Sequence, residues 1–157
     1  MKGSQKVIDS LNKLLAGELA SIDQYFVHSR MYDDWGMDKL YVRLNHEMEE
    51  ETQHSDLLIK RILFLEGVPC MTKRRDLMIG SDVSSAMAND LVLELEVVAG
   101  VREAIAISEA EGDYQTREML EKLLFDTEED HVYWLEQQIG LMDKIGIQNY
   151  IQSQMGK

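Results

Sequence analysis

The sequence predicts an all-α domain: an up-down four-helix bundle with a long crossover between helices 2 and 3 and a short fifth helix at the C-terminal end. Three observations predict it. Good helix formers (Glu, Leu, Met, Ala, Lys) are abundant and there is one proline in 157 residues, so breakers are few. Apolar residues recur at the helical period over four stretches of roughly thirty residues. Gly36, Gly67, Gly112 and Gly146 punctuate those stretches.

The first helix covers residues 4–35, with Ser4 as its cap. Its apolar line runs Val7, Ile8, Leu11, Leu14, Leu15, Ile22, Tyr25 and Phe26, and Glu18 falls within it. The second, residues 38–66, carries Leu40, Leu44, Met48, Leu58, Ile62 and Leu65, interrupted by Glu51 and His54. It stops at Glu66-Gly67 ahead of Pro69. Residues 67–81 lack helical periodicity. Fifteen extended residues reach roughly 50 Å, and a helix of twenty-eight is about 42 Å long. The segment can therefore run the length of the bundle.

The third helix spans residues 82–111, capped by Ser81 or Asp82, and its line of Met87, Leu91, Val98, Val101 and Ile105 is interrupted by Glu94. The fourth, residues 114–145, has the line Leu120, Leu124, Glu128, His131, Leu135, Ile139 and Met142. Residues 147–155 form the fifth helix, too short to be stable alone, so it docks on a neighbour.

The totals fit a single globular domain over residues 1–157, with 45% hydrophobic and 29% charged residues. A net charge of −13 argues against nucleic acid as a partner and favours attraction of cations. One cysteine, Cys70, excludes an internal disulfide framework and fits a reducing compartment. There is no signal-peptide core and no run long enough to span a bilayer, so the expectation is a soluble, cytoplasmic protein.

The carboxylates on the buried lines are the chemical clue, because a buried charge is costly unless paired. Glu51/His54 and Glu128/His131 are each three apart, which places both members on one helix face. Two such pairs, with one Glu from each of two other helices, make the ligand set of a carboxylate di-metal site in a bundle. Depth agrees: Glu18 lies 18 residues before Gly36, with Glu51 and His54 at 15 and 18 after it. Glu94 lies 18 before Gly112, with Glu128 and His131 at 16 and 19 after it. Glu18 to Glu51 is 33 residues and Glu94 to Glu128 is 34. Four carboxylates balance two divalent cations, and oxygen-rich ligation with one imidazole per ion suits iron or manganese.

On these residues, and on Asp23-Gln24-Tyr25-Phe26, His28-Ser29-Arg30-Met31, Arg61-Ile62-Leu63-Phe64-Leu65-Glu66-Gly67 and Asn149-Tyr150-Ile151-Gln152, the chain resembles the bacterioferritins and bacterial ferritins over nearly its whole length. The resemblance implies a ferritin-like fold and iron storage in a homo-oligomer, a hollow shell of 24 subunits. It implies ferroxidase activity, the oxidation of Fe(II) at an intrasubunit di-iron site. Glu18, Glu51, His54, Glu94, Glu128 and His131 would be the iron ligands, with Glu51 and Glu128 bridging and Tyr25 beside them. His46, Glu47 and Glu50 are candidates for iron on the inner surface, a solvated acidic face being the alternative reading. A ferredoxin-type reductant is the implied partner for iron release.

One position departs from the family. The methionine that holds haem b between subunits belongs at position 52, where this chain has Thr52, a poor ligand for haem iron. The expectation is no methionine-held haem in a homo-oligomer, and co-assembly with a haem-binding relative as the route to a mixed shell. Two other readings are a rubrerythrin-like or manganese-catalase-like peroxide-handling enzyme and a mainly structural shell subunit. The first lacks CxxC pairs for a rubredoxin domain.

Overall fold

The computed structural model describes residues 1–156. Helix α1 (Gln5–Asp34) and α2 (Asp38–Phe64) form one hairpin. Helix α3 (Val83–Ala110) pairs with a fourth rod, built from α4 (Tyr114–Asp126), a π-helical turn (Thr127–Val132) and α5 (Tyr133–Ile145). The short α6 (Ile147–Gln154) closes the chain. No strand occurs among the described residues. This is the four-helix bundle the periodicity predicts, with helix ends shifted by a residue or two.

The caps differ in kind. Asp82 and Ser85 form a reciprocal capping box at the start of α3. Asp113 accepts from the Thr116 backbone N–H at the start of α4. Ser4 stands at the N-cap of α1 without capping it; its hydroxyl instead donates to Glu111 at 2.7 Å. Both hairpin turns use glycine with positive φ, Gly36 at 79° and Gly112 at 71°.

The crossover between α2 and α3 is extended and pinned along α1. The Cys70 N–H donates to Asn12 (2.8 Å), Arg74 pairs with Asp23 (3.1 Å), the Met78 N–H donates to Gln24 (3.0 Å) and the Gly80 N–H to His28 Nε2 (2.9 Å). The partners march up α1 from residue 12 to residue 28, so the segment does run along the bundle. Gly80 is held so close to α3 that a Cβ there would lie 2.4 Å from the Ala86 nitrogen. The His28 ring accepts from Gly80 at Nε2, so its proton sits on Nδ1 and is donated to Asp90 at 2.8 Å. Gln24 donates to the same Asp90 oxygen at 2.8 Å.

The apolar core is in two parts. Val7, Leu11, Leu15, Leu58, Ile62, Val101 and Leu120 fill one end. Tyr32, Leu40, Leu44, Met87, Leu135 and Tyr150 fill the other. Tyr150 anchors α6 by donating to buried Gln138 at 2.8 Å. The carboxylates and imidazoles lie on the helix stretches between the two parts.

The fourth rod departs most from expectation. The predicted face runs Leu120, Leu124, Glu128; the buried one runs Leu120, Leu123, Thr127, His131, Leu135. The π turn accommodates one extra residue, so Thr127 is buried and Glu128 rotates off the core face.

Candidate metal centre

Glu18 on α1, Glu51 and His54 on α2, Glu94 on α3 and His131 on the π turn are all buried. They form two groups that share one member. Glu18, Glu51 and His54 each offer a donor atom within 4.8 Å of the others, and so do Glu51, Glu94 and His131. Glu51 is thus common to both. Its two oxygens lie 3.5 Å from His54 Nδ1 and 2.7 Å from His131 Nδ1. His54 Nδ1 is 3.9 Å from Glu18, and His131 Nδ1 is 3.4 Å from Glu94. The two rings stack with centroids 5.8 Å apart.

The electrostatics of the group follow from packing acids and imidazoles together out of water. Burial, and then the neighbouring Glu51 charge, push the Glu18 carboxyl well above its usual range. Burial opposes protonation of His54, but the facing carboxylates of Glu18 and Glu51 outweigh it and its pKa is pushed up to about 11. His131 is raised in the same sense, burial again being outweighed by its carboxylate neighbours. Both Glu18 oxygens, Glu94 Oε2, His54 Nδ1 and His131 Nδ1 have no hydrogen-bond partner. Unpartnered buried carboxylates and imidazoles facing one another fit two metal ions held by oxygen and nitrogen. Asp126 takes the outer nitrogen of His54 at 3.3 Å, the kind of contact that sets a ligating imidazole's orientation. The Tyr25 hydroxyl donates to Glu94, and burial, then that carboxylate, push the phenol well above its usual range.

Glu128 is not brought into this group. It is a third exposed and accepts from Arg102 Nη2 at 2.7 Å and Nε at 3.2 Å. The i, i+3 argument that joined it to His131 holds for an α-helix, where such positions are about 60° apart. In a π turn, at roughly 4.4 residues per turn, they diverge to about 115°. The predicted inner-surface trio also divides. His46 is half exposed and meets Glu50 at 3.0 Å, while Glu47 is buried and turns to His131 at 2.8 Å.

The Ferritin-like domain model matches residues 8–145. The bacterial ferritin of Synechocystis sp. is 56% identical over 99% of this chain and 99% of its own length. That of Pseudomonas aeruginosa is 56% identical over 99% of this chain and all of its own length. The chain belongs to the bacterial ferritin and bacterioferritin family. The bacterioferritin of Brucella melitensis is 40% identical over 96% of this chain and 92% of its own length.

Within this ferritin several residues of the centre escape a reading by periodicity. Asp126 meets His54 and Asp130 meets Arg43 from positions off the buried line, and Arg102 holds Glu128 outside the centre. Arg43 had a visible signal, its i, i+4 spacing to Glu47. Thr52 is exposed on α2, and its hydroxyl donates back to the Met48 carbonyl at 2.8 Å. Among the described residues no helix is long and apolar enough to cross a membrane.

Proposed function

We propose that this chain stores iron, oxidising Fe(II) at the buried centre and holding the ferric product inside a closed shell of 24 copies. The observation that carries the reading is Glu51 shared between two buried carboxylate–imidazole groups on four helical rods. Fe(II) is the substrate. Glu18 and His54 hold one ion, Glu94 and His131 the other, and Glu51 spans both. Each ion gives up one electron to dioxygen or peroxide.

The protein supplies geometry and charge and needs no side-chain nucleophile. Three carboxylates at the centre favour Fe(III) over Fe(II) because the higher charge is better matched. The ions displace the protons that His54 and His131 otherwise carry. Tyr25 holds Glu94 Oε1, the oxygen that faces His131, and leaves Oε2 without a partner. Glu128 joins the centre only by leaving Arg102.

Assembly is supported by large apolar side chains left on the surface of the single chain, among them Phe26, Leu57, Phe64, Phe125 and Ile147. A shell of this chain alone holds no haem between paired methionines, since Thr52 stands at that position. The protein works in the cytoplasm, with a ferredoxin-type donor returning electrons to the mineral.

The test is aerobic addition of Fe(II) to the purified protein, followed by size-exclusion chromatography. Oxidised iron should co-elute with a particle of about two dozen chains, the closed shell typical of a symmetric homo-oligomer. Iron that precipitates at the protein-free rate and elutes apart from the protein contradicts the proposal.

A further inference from the structure

The chain has 16 Lys and Arg against 29 Asp and Glu, yet three of its cations are consecutive, Lys73-Arg74-Arg75, in the middle of the crossover. Together with Lys13 of α1 they line a cavity of about 480 Å³ between the crossover and α1. Asp9 is the one acid among its described lining residues, and it already accepts from Gln5 at 2.8 Å. We propose that this cavity binds an oxyanion of the phosphate class, as the free ion or as a small monoester, with Arg75 and Lys73 as its main holders.

Arg75 separates the cavity from scattered surface charge. Its side chain is only 25% exposed. The guanidinium lies against both α1 and α3 where neither helix has a side chain. A Cβ at Gly17 would be 3.5 Å from its Cζ and Nε, and one at Gly100 would be 3.6 Å from its Nη2. A guanidinium offers five N–H donors in a planar fork. Arg75 uses one of them, from Nη1 to Glu96, at the long distance of 3.4 Å. Its Nε and Nη2 donate to no protein acceptor among the described residues. A charge drawn this far out of water is costly while its donors stay unused. A tetrahedral oxyanion meets the fork with two parallel N–H bonds.

The neighbours can join in. Lys73 is exposed and has no carboxylate within ion-pair distance among the described residues. Lys13 pairs with Glu103 at 3.1 Å and Arg74 with Asp23 at 3.1 Å, both in exposed positions where such pairs are weak and exchange easily. The cavity already favours a small anion of its own. The Cys70 thiol on its wall is drawn below its ordinary range by the Lys73 backbone amide, then by Thr72, with the Lys73 charge adding to the effect.

Charge and size choose the ligand class. A polyanion such as nucleic acid would meet the acidic surface of a chain at −13 as well as this patch. A small oxyanion meets the patch alone. The volume lies within the range of small-molecule sites, so the organic part of a monoester has room. A bound oxyanion would tie Lys73 and Arg75 of the crossover to Lys13 of α1. Because it binds the folded crossover and not a frayed one, it should hold that segment down. The site lies outside the metal centre and does not rest on the iron-handling reading.

The test uses the assembled, iron-free protein, so that no phosphate is held by iron. Equilibrium dialysis with labelled inorganic phosphate, anomalous scattering from tungstate-soaked crystals and tryptic cleavage at residues 73–75 are the readouts. The wild type should take up one saturable phosphate per chain, show a tungstate peak beside Arg75 and Lys73, and be cut more slowly in the crossover as phosphate is added. Arg75→Gln should weaken binding about tenfold or more, and Arg75→Lys, which keeps the charge and loses the fork, should not restore it. Lys73→Gln, a change at an exposed position that leaves folding untouched, should weaken it about three- to tenfold. Lys122→Gln, a cation far off on α4, should change nothing. Adenosine monophosphate that displaces labelled phosphate assigns the site to monoesters; failure to displace it assigns the site to the free ion. Three results overturn the proposal: no saturable phosphate on the wild type, binding that survives both Arg75→Gln and Lys73→Gln, or a crystal in which a carboxylate of a neighbouring copy fills the cavity. None of them bears on the proposed function, because no iron is present.

Discussion

Glu51 and Glu128 are both acidic residues three positions before a histidine, and the structure sets them apart. Replacing Glu51 by Ala removes the one carboxylate that both inner groups share. Loss of a partner that merely supports a metal ligand lowers affinity about 10–100-fold. A shared direct ligand should cost at least that for each ion. Over two ions the product falls by about 10²–10⁴, or ~2.7–5.5 kcal/mol. Glu128→Ala removes only a partly exposed ion pair with Arg102, and such pairs are worth about 0–1 kcal/mol. Stopped-flow oxidation with two Fe(II) per chain should then lose its fast phase in Glu51→Ala and slow by less than tenfold in Glu128→Ala, with both shells intact by size exclusion. Equal losses in the two variants would show that Glu128 works inside the centre and that its pairing with Arg102 is not the working arrangement. No loss in Glu51→Ala would remove the centre altogether.

Two further outcomes follow from other parts of the molecule. His28→Ala leaves Asp90 with a single donor, Gln24, and frees the Gly80 N–H, so it should cost about 2–4 kcal/mol in denaturant unfolding and expose the crossover to limited proteolysis; an unchanged midpoint would mean the network carries little stability. Thr52→Met should let the homo-oligomer bind haem, read as the pyridine haemochrome absorbance, whereas the unaltered chain should give far less than one haem per two chains; stoichiometric methionine-ligated haem without the substitution defeats the argument.

Much of this was legible before any coordinates, and for definite reasons. Long amphipathic helices have a strong period, so four rods and their turns follow from Leu, Ile and Val spacing and from Gly36 and Gly112. The buried polar residues were legible because they interrupt that period: Glu18, Glu51, His54, Glu94 and His131 all lie inside, in reach of one another. The crossover was legible only as a length; that Asn12, Gln24 and His28 pin it requires knowing which polar side chains face it. Ser4 shows the limit of a capping rule, because a nearer acceptor, Glu111, takes its hydroxyl. Glu128 stands apart from the other five because residues 127–132 form a π turn where the spacing argument assumed an α period. The warning was present in the sequence. The span from Glu94 to Glu128 is one residue longer than that from Glu18 to Glu51, and one extra residue is what a π turn absorbs.

That extra residue can be assigned to Thr127. It occupies the core face at 1% exposure, with its hydroxyl turned back to the Leu123 carbonyl at 2.9 Å. It contributes no donor to either metal group. Deleting it lets α4 and α5 join as one α-helix without rotating either, since Leu120 and Leu123 on one side and Leu135 and Met142 on the other are already in phase once a residue is removed. The slot of Thr127 then falls to Glu128, three residues before His131 in true α spacing, and Arg102 loses its partner. The deletion variant should keep the helical circular dichroism of the parent. It should bind Co(II) at the centre at least tenfold more tightly, ~1.4 kcal/mol, through the added carboxylate. Weaker binding with the fold intact would mean that the π turn itself shapes the centre, and that the ion on His131 depends on the wider turn rather than on a fourth carboxylate.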